Sequence, residues 1–193
     1  MPRRLCSTCQ RPDARCYCAY IRPITNRTQV VVLQHPDESG HPKNTGELLV
    51  KCLSSATLLV GETLDNALIE QFASHNAALL YPDQPEDTLA AAAPIADPKA
   101  INHLIVLDAT WRKSRKMLHL NPWLNSLPRV TLNTIPTSRY RIRSAAKQDQ
   151  LSTFEASCYA LQQLEANPTL CEQALSAFDS YMNHLVSFDP NRP

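Results

Sequence analysis

Two short stretches, "TQVVVLQ" over 28–34 and "HLIVLD" over 103–108, carry apolar side chains at consecutive positions rather than at alternate ones. A strand that alternates polar with apolar can face water on one side. A strand that is apolar on both sides has to be covered on both, which is the situation inside a parallel sheet flanked by helices. Similar runs occur at 56–61, 77–82 and 129–132. Between and after them apolar residues recur at helical spacing over 45–55, 64–75, 110–120, 152–165 and about 170–186. The alternation predicts an α/β fold with a mainly parallel sheet. Residues 83–100, with Pro85, Pro94 and Pro98, read as a surface connection with one helical turn, and 133–150 as irregular and basic. With 193 residues and 44% hydrophobic content, the chain can bury one real core with room for a small appendage.

In such sheets ligands sit beyond the carboxyl ends of the strands. The candidate site residues therefore lie in "QHPDESGHPKNT", "VGET", "LDATW" and "LNTIPTSRYRIR". Glycine occurs only as Gly40, Gly46 and Gly61. Neither the dinucleotide G-x-G-x-x-G nor a P-loop can be written, so a cofactor must be held another way. Asp108 ends an apolar strand, where a carboxylate is partly desolvated. It is either a turn residue or a functional acid, and its crevice position with Trp111 close by favours the latter. Thr110 suits the N-cap of the following helix. Trp111 either stacks on a base or packs in the core with Ser114 and Leu118. His35 fits a structural hydrogen-bonder better than a catalyst. Asn44 and Thr45 cap the next helix and can line the crevice. Ser152 and Glu155 have capping-box spacing, which accounts for both locally; they gain a further role only if that helix start points at a ligand.

Charge is segregated. Residues 1–27 hold six Arg and one Asp, and residues 112–147 hold nine Lys or Arg with no acid, although the whole chain is only +1. Two basic surfaces on an acidic body attract a polyanion, of which nucleic acid is the commonest. Arg112, Lys113, Arg115 and Lys116 follow Trp111 directly, as suits an RNA backbone lying beside a reacting centre.

The first basic stretch contains "CSTCQRPDARCYC". Cys6, Cys9, Cys16 and Cys18 are spaced C-x2-C-x6-C-x-C, close enough to converge on one tetrahedral Zn²⁺. Four protein ligands leave no open position, so the site reads as structural, with the metal supplying most of the folding energy of the segment. Disulfides are the competing reading. They are disfavoured because "MPRRLCSTCQ" lacks the apolar stretch of an export signal, which also makes the cytoplasm the expected compartment. Arg3, Arg4, Arg11, Arg15 and Arg22 would make the segment an RNA-gripping knuckle. Cys52, Cys158 and Cys171 sit in apolar helical contexts and read as core thiols. No run of about 18 apolar residues is present to span a membrane.

Taken together, "LDATW" before a basic helix, "QHPDE", the Asn44-Thr45 pair, "LSTFEA" and the Cys-rich start occur in the order found in the DTW-domain proteins, which this chain resembles over nearly its whole length. The resemblance implies a tRNA-uridine aminocarboxypropyltransferase. Such an enzyme moves the 3-amino-3-carboxypropyl group of S-adenosylmethionine to N3 of a tRNA uridine. It also implies a SPOUT-like fold with a knotted C-terminal part. Carried onto this sequence, it makes Asp108, Thr110 and Trp111 catalytic. It makes Gly61, Leu107, Asp108, Leu132, Ser152, Thr153 and Glu155 cofactor contacts, and Arg112, Lys113, Arg115, Lys116, Arg139, Arg141 and Arg143 RNA contacts. Residues 1–27 would be the zinc knuckle and 28–193 the catalytic domain, with tRNA as partner and no protein partner implied. Two other functions fit the same residues: a SPOUT-like RNA methyltransferase, and a zinc-dependent RNA-binding module without chemistry.

Overall fold

Each apolar run expected to be a strand becomes one. The strands are β1 (Gln29–Gln34), β2 (Ala56–Val60), β3 (Ala77–Leu80), β4 (His103–Asp108) and β5 (Arg129–Val130). They form one sheet in the order β2-β1-β4-β3-β5 with every neighbouring pair parallel. This computed structural model describes residues 4–41, 44–73, 76–82, 95, 97–134, 136–138 and 151–188.

The pleat of β1 shows why its sequence is apolar throughout. Val30 and Val32 point to one face, where α1 (Gly46–Cys52), α5 (Thr153–Leu164) and α6 (Glu172–Ser187) cover them. Val31 and Leu33 point to the other, under α2 (Asn66–Ala73), α3 (Trp111–Leu120) and α4 (Pro122–Ser126). The α5–α6 side is closed by Phe154 and Phe178, whose rings stack at 4.6 Å. Such a pair contributes about 0.5–1.5 kcal/mol beyond its buried area. Cys52, Cys158 and Cys171 are buried in this core, as expected, and burial pushes the Cys158 thiol well up.

Three elements differ from the expectation, each for a local reason. Helix α1 stops at Cys52 because Leu53 turns extended and bridges Ile24, while Ser54 and Ser55 bond to the Asn26 side chain. Strand β5 has only two residues; the Gln163 side chain then takes over, donating to Thr131 O and accepting from Asn133 N. Helix α4 lies where the apolar spacing predicts none, and Pro122 at its first position suits a helix start. The helical turn expected within 83–100 is the 3-10 turn Pro98–Ala100. The rest of that connection up to 94, and the path through 139–150 on which a knotted C-terminal part would depend, lie outside the described residues.

The N-terminal segment is folded back by a Leu5–Pro12 bridge and two 3-10 turns, Asp13–Arg15 and Cys18–Tyr20. Its Tyr17 and Ile24 join the core on the α6 side. Among the described residues no helix is long and apolar enough to cross a membrane.

Candidate functional site

Parallel pairing sets Gln34, the last residue of β1, directly beside Asp108, the last residue of β4. Both are buried. The Asp108 carboxylate is gripped from three sides. Gln34 Nε2 donates to Oδ2 at 2.8 Å, Asn44 Nδ2 donates to Oδ2 at 2.5 Å, and Thr153 Oγ1 donates to Oδ1 at 2.7 Å. A carboxylate offers about four acceptor positions. Three are filled, so the group is fixed in orientation with little capacity left over. Asp108 is a hub joining β1, β4, the loop before α1 and the first residue of α5.

Two helix starts make this possible. Gly46 opens α1, and a Cβ there would lie 2.5 Å from Asp108 Oδ2, so only glycine allows the approach. Ser152 caps α5, accepting from Glu155 N, while Glu155 Oε2 accepts from Ser152 N and Oγ. This capping box turns Thr153 toward Asp108, so the helix start does point at the site.

A cavity of about 210 Å³ opens over Asp108 at the carboxyl ends of β3, β4 and β5. Leu80, Val106, Leu107, Val130 and Leu132 form apolar wall; Asn44, Thr45, Asp108, Ser152 and Thr153 supply polar groups. Trp111 stands on its lining with 41% of its surface exposed, edge-on to Tyr81 at 5.7 Å. It is therefore not a core residue, unlike Ser114 and Leu118 on the same helix, which are buried.

The structure thus gathers Leu107, Asp108, Trp111, Leu132, Ser152 and Thr153 around one cavity. It leaves others outside. Thr110 caps α3, accepting from Lys113 N, and does not line the cavity. Gly61 follows the edge strand β2, and its N–H donates to Gln34 O. Glu155 is fully buried behind the wall, where it also accepts from Ser138 Oγ. Sequence reasoning placed Gln34 in a candidate stretch without giving it a role, and missed Gly46. An amide ending an apolar strand was the available signal for Gln34. For Gly46, nothing short of the packed structure shows what it faces.

The basic helix carries more counter-charge than its own sequence suggested. Lys113 Nζ pairs with Glu38 at 3.0 Å and Asp37 at 3.4 Å, and Lys116 Nζ pairs with Glu62 at 2.7 Å. These acids come from the loops after β1 and β2. Lys116, and after it His35, holds the Glu62 carboxyl below its usual range. His35 has a partner on each ring nitrogen: Asp37 N donates to Nδ1 at 3.1 Å, and Nε2 lies 2.7 Å from Glu62 Oε1. Arg112 and Arg115 are exposed. Arg3, Arg139, Arg141 and Arg143 lie outside the described residues.

In the N-terminal segment the four cysteine sulfurs lie within 4.8 Å of one another. Cys6 and Cys18 sulfurs are 3.8 Å apart, Cys9 and Cys16 sulfurs 3.7 Å. A tetrahedron with Zn–S arms of about 2.3 Å has edges of about 3.8 Å, so the donor set and its spacing fit zinc. Backbone N–H groups of Cys9 and Thr8 pull the Cys6 thiol down to about 6, while burial pushes Cys18 up to about 12. Arg11, expected among the RNA-gripping arginines, is instead turned inward and only 6% exposed. It donates to Glu47 Oε2 at 3.1 Å and Asn44 O at 3.2 Å, and its guanidinium lies over the Tyr17 ring.

Residues 3–186 match the DTW domain. The chain is 30% identical over 178 residues to a mouse protein named tRNA-uridine aminocarboxypropyltransferase 2, covering 88% of this chain and 59% of that one. A Macaca fascicularis protein of the same name is 28% identical over the same coverage. An Arabidopsis thaliana tRNA-uridine aminocarboxypropyltransferase A is 29% identical over 134 residues, 60% of this chain and 50% of that one. The chain thus spans three fifths or less of the length of these relatives. No solved structure matches it. On the match across residues 3–186, the chain belongs to the DTW-domain family.

Proposed function

We propose that this chain transfers the 3-amino-3-carboxypropyl group of S-adenosylmethionine to N3 of a tRNA uridine, in the cytoplasm. The names of the relatives support the reaction class and tRNA as its substrate. The observation that carries the reading on this chain is Asp108: a buried carboxylate, immobilised by three donors, on the lining of an otherwise largely apolar cavity.

S-adenosylmethionine supplies an electrophilic carbon next to a sulfonium. The N3–C bond forms, the C–S bond breaks, methylthioadenosine leaves, and the N3 proton passes to a base. The donor activates several carbons at once, so holding the right one toward the nucleophile is most of the catalysis. The residues present suit that task. Leu80, Val106, Leu107, Val130 and Leu132 would enclose an adenine; the hydroxyls of Ser152 and Thr153 and the remaining acceptor capacity of Asp108 would orient an ammonium group. With three of its about four acceptor positions filled, Asp108 keeps one, which serves either to orient the ammonium or to take the N3 proton. Trp111 on the rim would stack on the incoming base. Arg112, Lys113, Arg115 and Lys116, which follow it on α3, would meet the RNA backbone. Residues 1–27 would be a zinc knuckle and 28–193 the catalytic domain.

The test is incubation of the protein with unmodified tRNA and S-adenosylmethionine labelled in either the carboxyl or the methyl carbon. Carboxyl label entering the RNA is the expected result. Methyl label alone would make the protein a methyltransferase, and tRNA binding without either label would leave it a binding module.

A further inference from the structure

The four-cysteine knuckle and the cavity are joined by one side chain. Arg11 sits between the two cysteine pairs, and its own carbonyl accepts from Cys6 N at 2.8 Å, which closes the first loop of the knuckle. Its guanidinium leaves the knuckle and reaches the start of α1. There it donates to the carbonyl of Asn44 and to Glu47 Oε2. Glu47 Oε1 in turn accepts from Gly40 N, which ties down the loop after β1. Asn44 is held at both ends: its Oδ1 accepts from Glu47 N, and its Nδ2 donates to Asp108 Oδ2. A continuous path of hydrogen bonds therefore runs from Cys6 through Arg11 and Asn44 to the cavity carboxylate.

The chemistry at each step makes the path specific. A planar guanidinium can donate to a carbonyl and a carboxylate at once, which a lysine ammonium on one flexible stem does less well. Arg11 is buried, so these bonds are not traded with water. Burial also makes misplacing the group expensive, because the charge would be left without its carboxylate partner. Tyr181 Oη lies 3.5 Å from the guanidinium and donates to Arg15 O at 2.9 Å, so α6 holds the same corner from behind.

We propose that Arg11 is a positioning residue, which makes the placement of Asn44, and through it of Asp108, depend on the folded knuckle. The dependence gives the metal a second job. Beyond holding residues 1–27 together, it fixes the orientation of the group on which cosubstrate binding rests. This last clause rests on the function proposed above; the positioning itself does not.

The experiment is made on the full chain carrying its zinc. In Arg11→Met the aliphatic stem over Tyr17 is kept and the donors are removed. The side-chain amide resonance of Asn44, in protein labelled with nitrogen-15 asparagine, should shift in Arg11→Met, and in the wild type when zinc is chelated. Arg11→Lys should restore it in part. Metal content of the variants should equal that of the wild type. S-adenosylmethionine binding by calorimetry should weaken about tenfold in Arg11→Met, one step of about 1.4 kcal/mol. An unmoved Asn44 resonance with full metal content would overturn the proposal. A shifted resonance in a protein whose wild type binds no S-adenosylmethionine would leave the positioning intact and sink the functional reading instead. Should Arg11→Met fail to fold, wild-type chelation decides alone: the Asn44 amide shifts while the sheet remains folded, or the proposal is wrong.

Discussion

The knuckle and the cavity floor both bring four polar groups together, and they do so by opposite means. The knuckle takes its sulfurs from one short stretch, Cys6 to Cys18, and holds them about a tetrahedron's edge apart. The cavity floor takes Gln34, Asn44, Asp108 and Thr153 from four separate elements, and the whole sheet is the scaffold that assembles them. The first arrangement is cheap in sequence and would be held by an ion. The second needs a complete core to assemble it. The lesson is about where each would fail: the knuckle at the metal, the floor at the register of β1 against β4.

The largest expected effect tests the separation itself. Replacing Cys6 and Cys9 by Ser should collapse the metal content per chain, since zinc in small sites of this kind supplies about 10–16 kcal/mol of folding free energy. The far-ultraviolet dichroism of the α/β body should persist; loss of both together would show that the two regions are one cooperative unit. Next comes Asp108→Asn, which sets an amide N–H₂ against either the Thr153 hydroxyl or the two donors Gln34 and Asn44. Turnover should fall by about 100-fold or more, at a cost of about 1–3 kcal/mol in denaturant unfolding, with metal content unchanged. A variant with near-normal turnover would remove Asp108 from the mechanism. Gly46→Ala acts on the same carboxylate from α1. Its Cβ forces Asp108 aside, so activity should drop about tenfold with a loss of about 1–3 kcal/mol typical of overpacking; an unaffected enzyme would mean that the floor yields easily. The smallest effect concerns Glu62, which lies outside both regions. Its carboxyl is lower in the folded chain than the ordinary 4.5, chiefly through Lys116. Its contribution is therefore present above that value and is lost as pH falls through the lower folded one. The stability difference between wild type and Glu62→Gln should shrink on acidification in this window, measured by denaturant midpoints, and a constant difference would refute the pairing.

The same contrast decides what could be read from the sequence. Cysteine spacing is a local property, so the donor set was visible at once. Strand identity was equally visible, because a strand covered on both faces has nothing polar to interrupt it. Asp108 could be singled out because it ends such a strand. What grips it could not: Gln34 becomes its neighbour only through the pairing of β1 with β4, and Gly46 becomes necessary only when α1 docks. The cations of α3 teach the same point from the other side. No acid is interleaved with them over 112–147, yet Glu38 and Glu62 reach Lys113 and Lys116 from the ends of other strands. Arg11 was grouped with exposed arginines because charge runs count residues without seeing which way they turn.

The contact between Arg11 and Tyr181 joins residues 170 positions apart. At ordinary ribosome speeds of about 5–20 residues per second, on the order of 10–30 s separates the synthesis of one from that of the other. The knuckle is translated early and its seat against α6 is translated late. A nascent chain would thus carry a metal-loaded head with a buried-type arginine still facing water, and maturation would end when the last helix arrives to receive it.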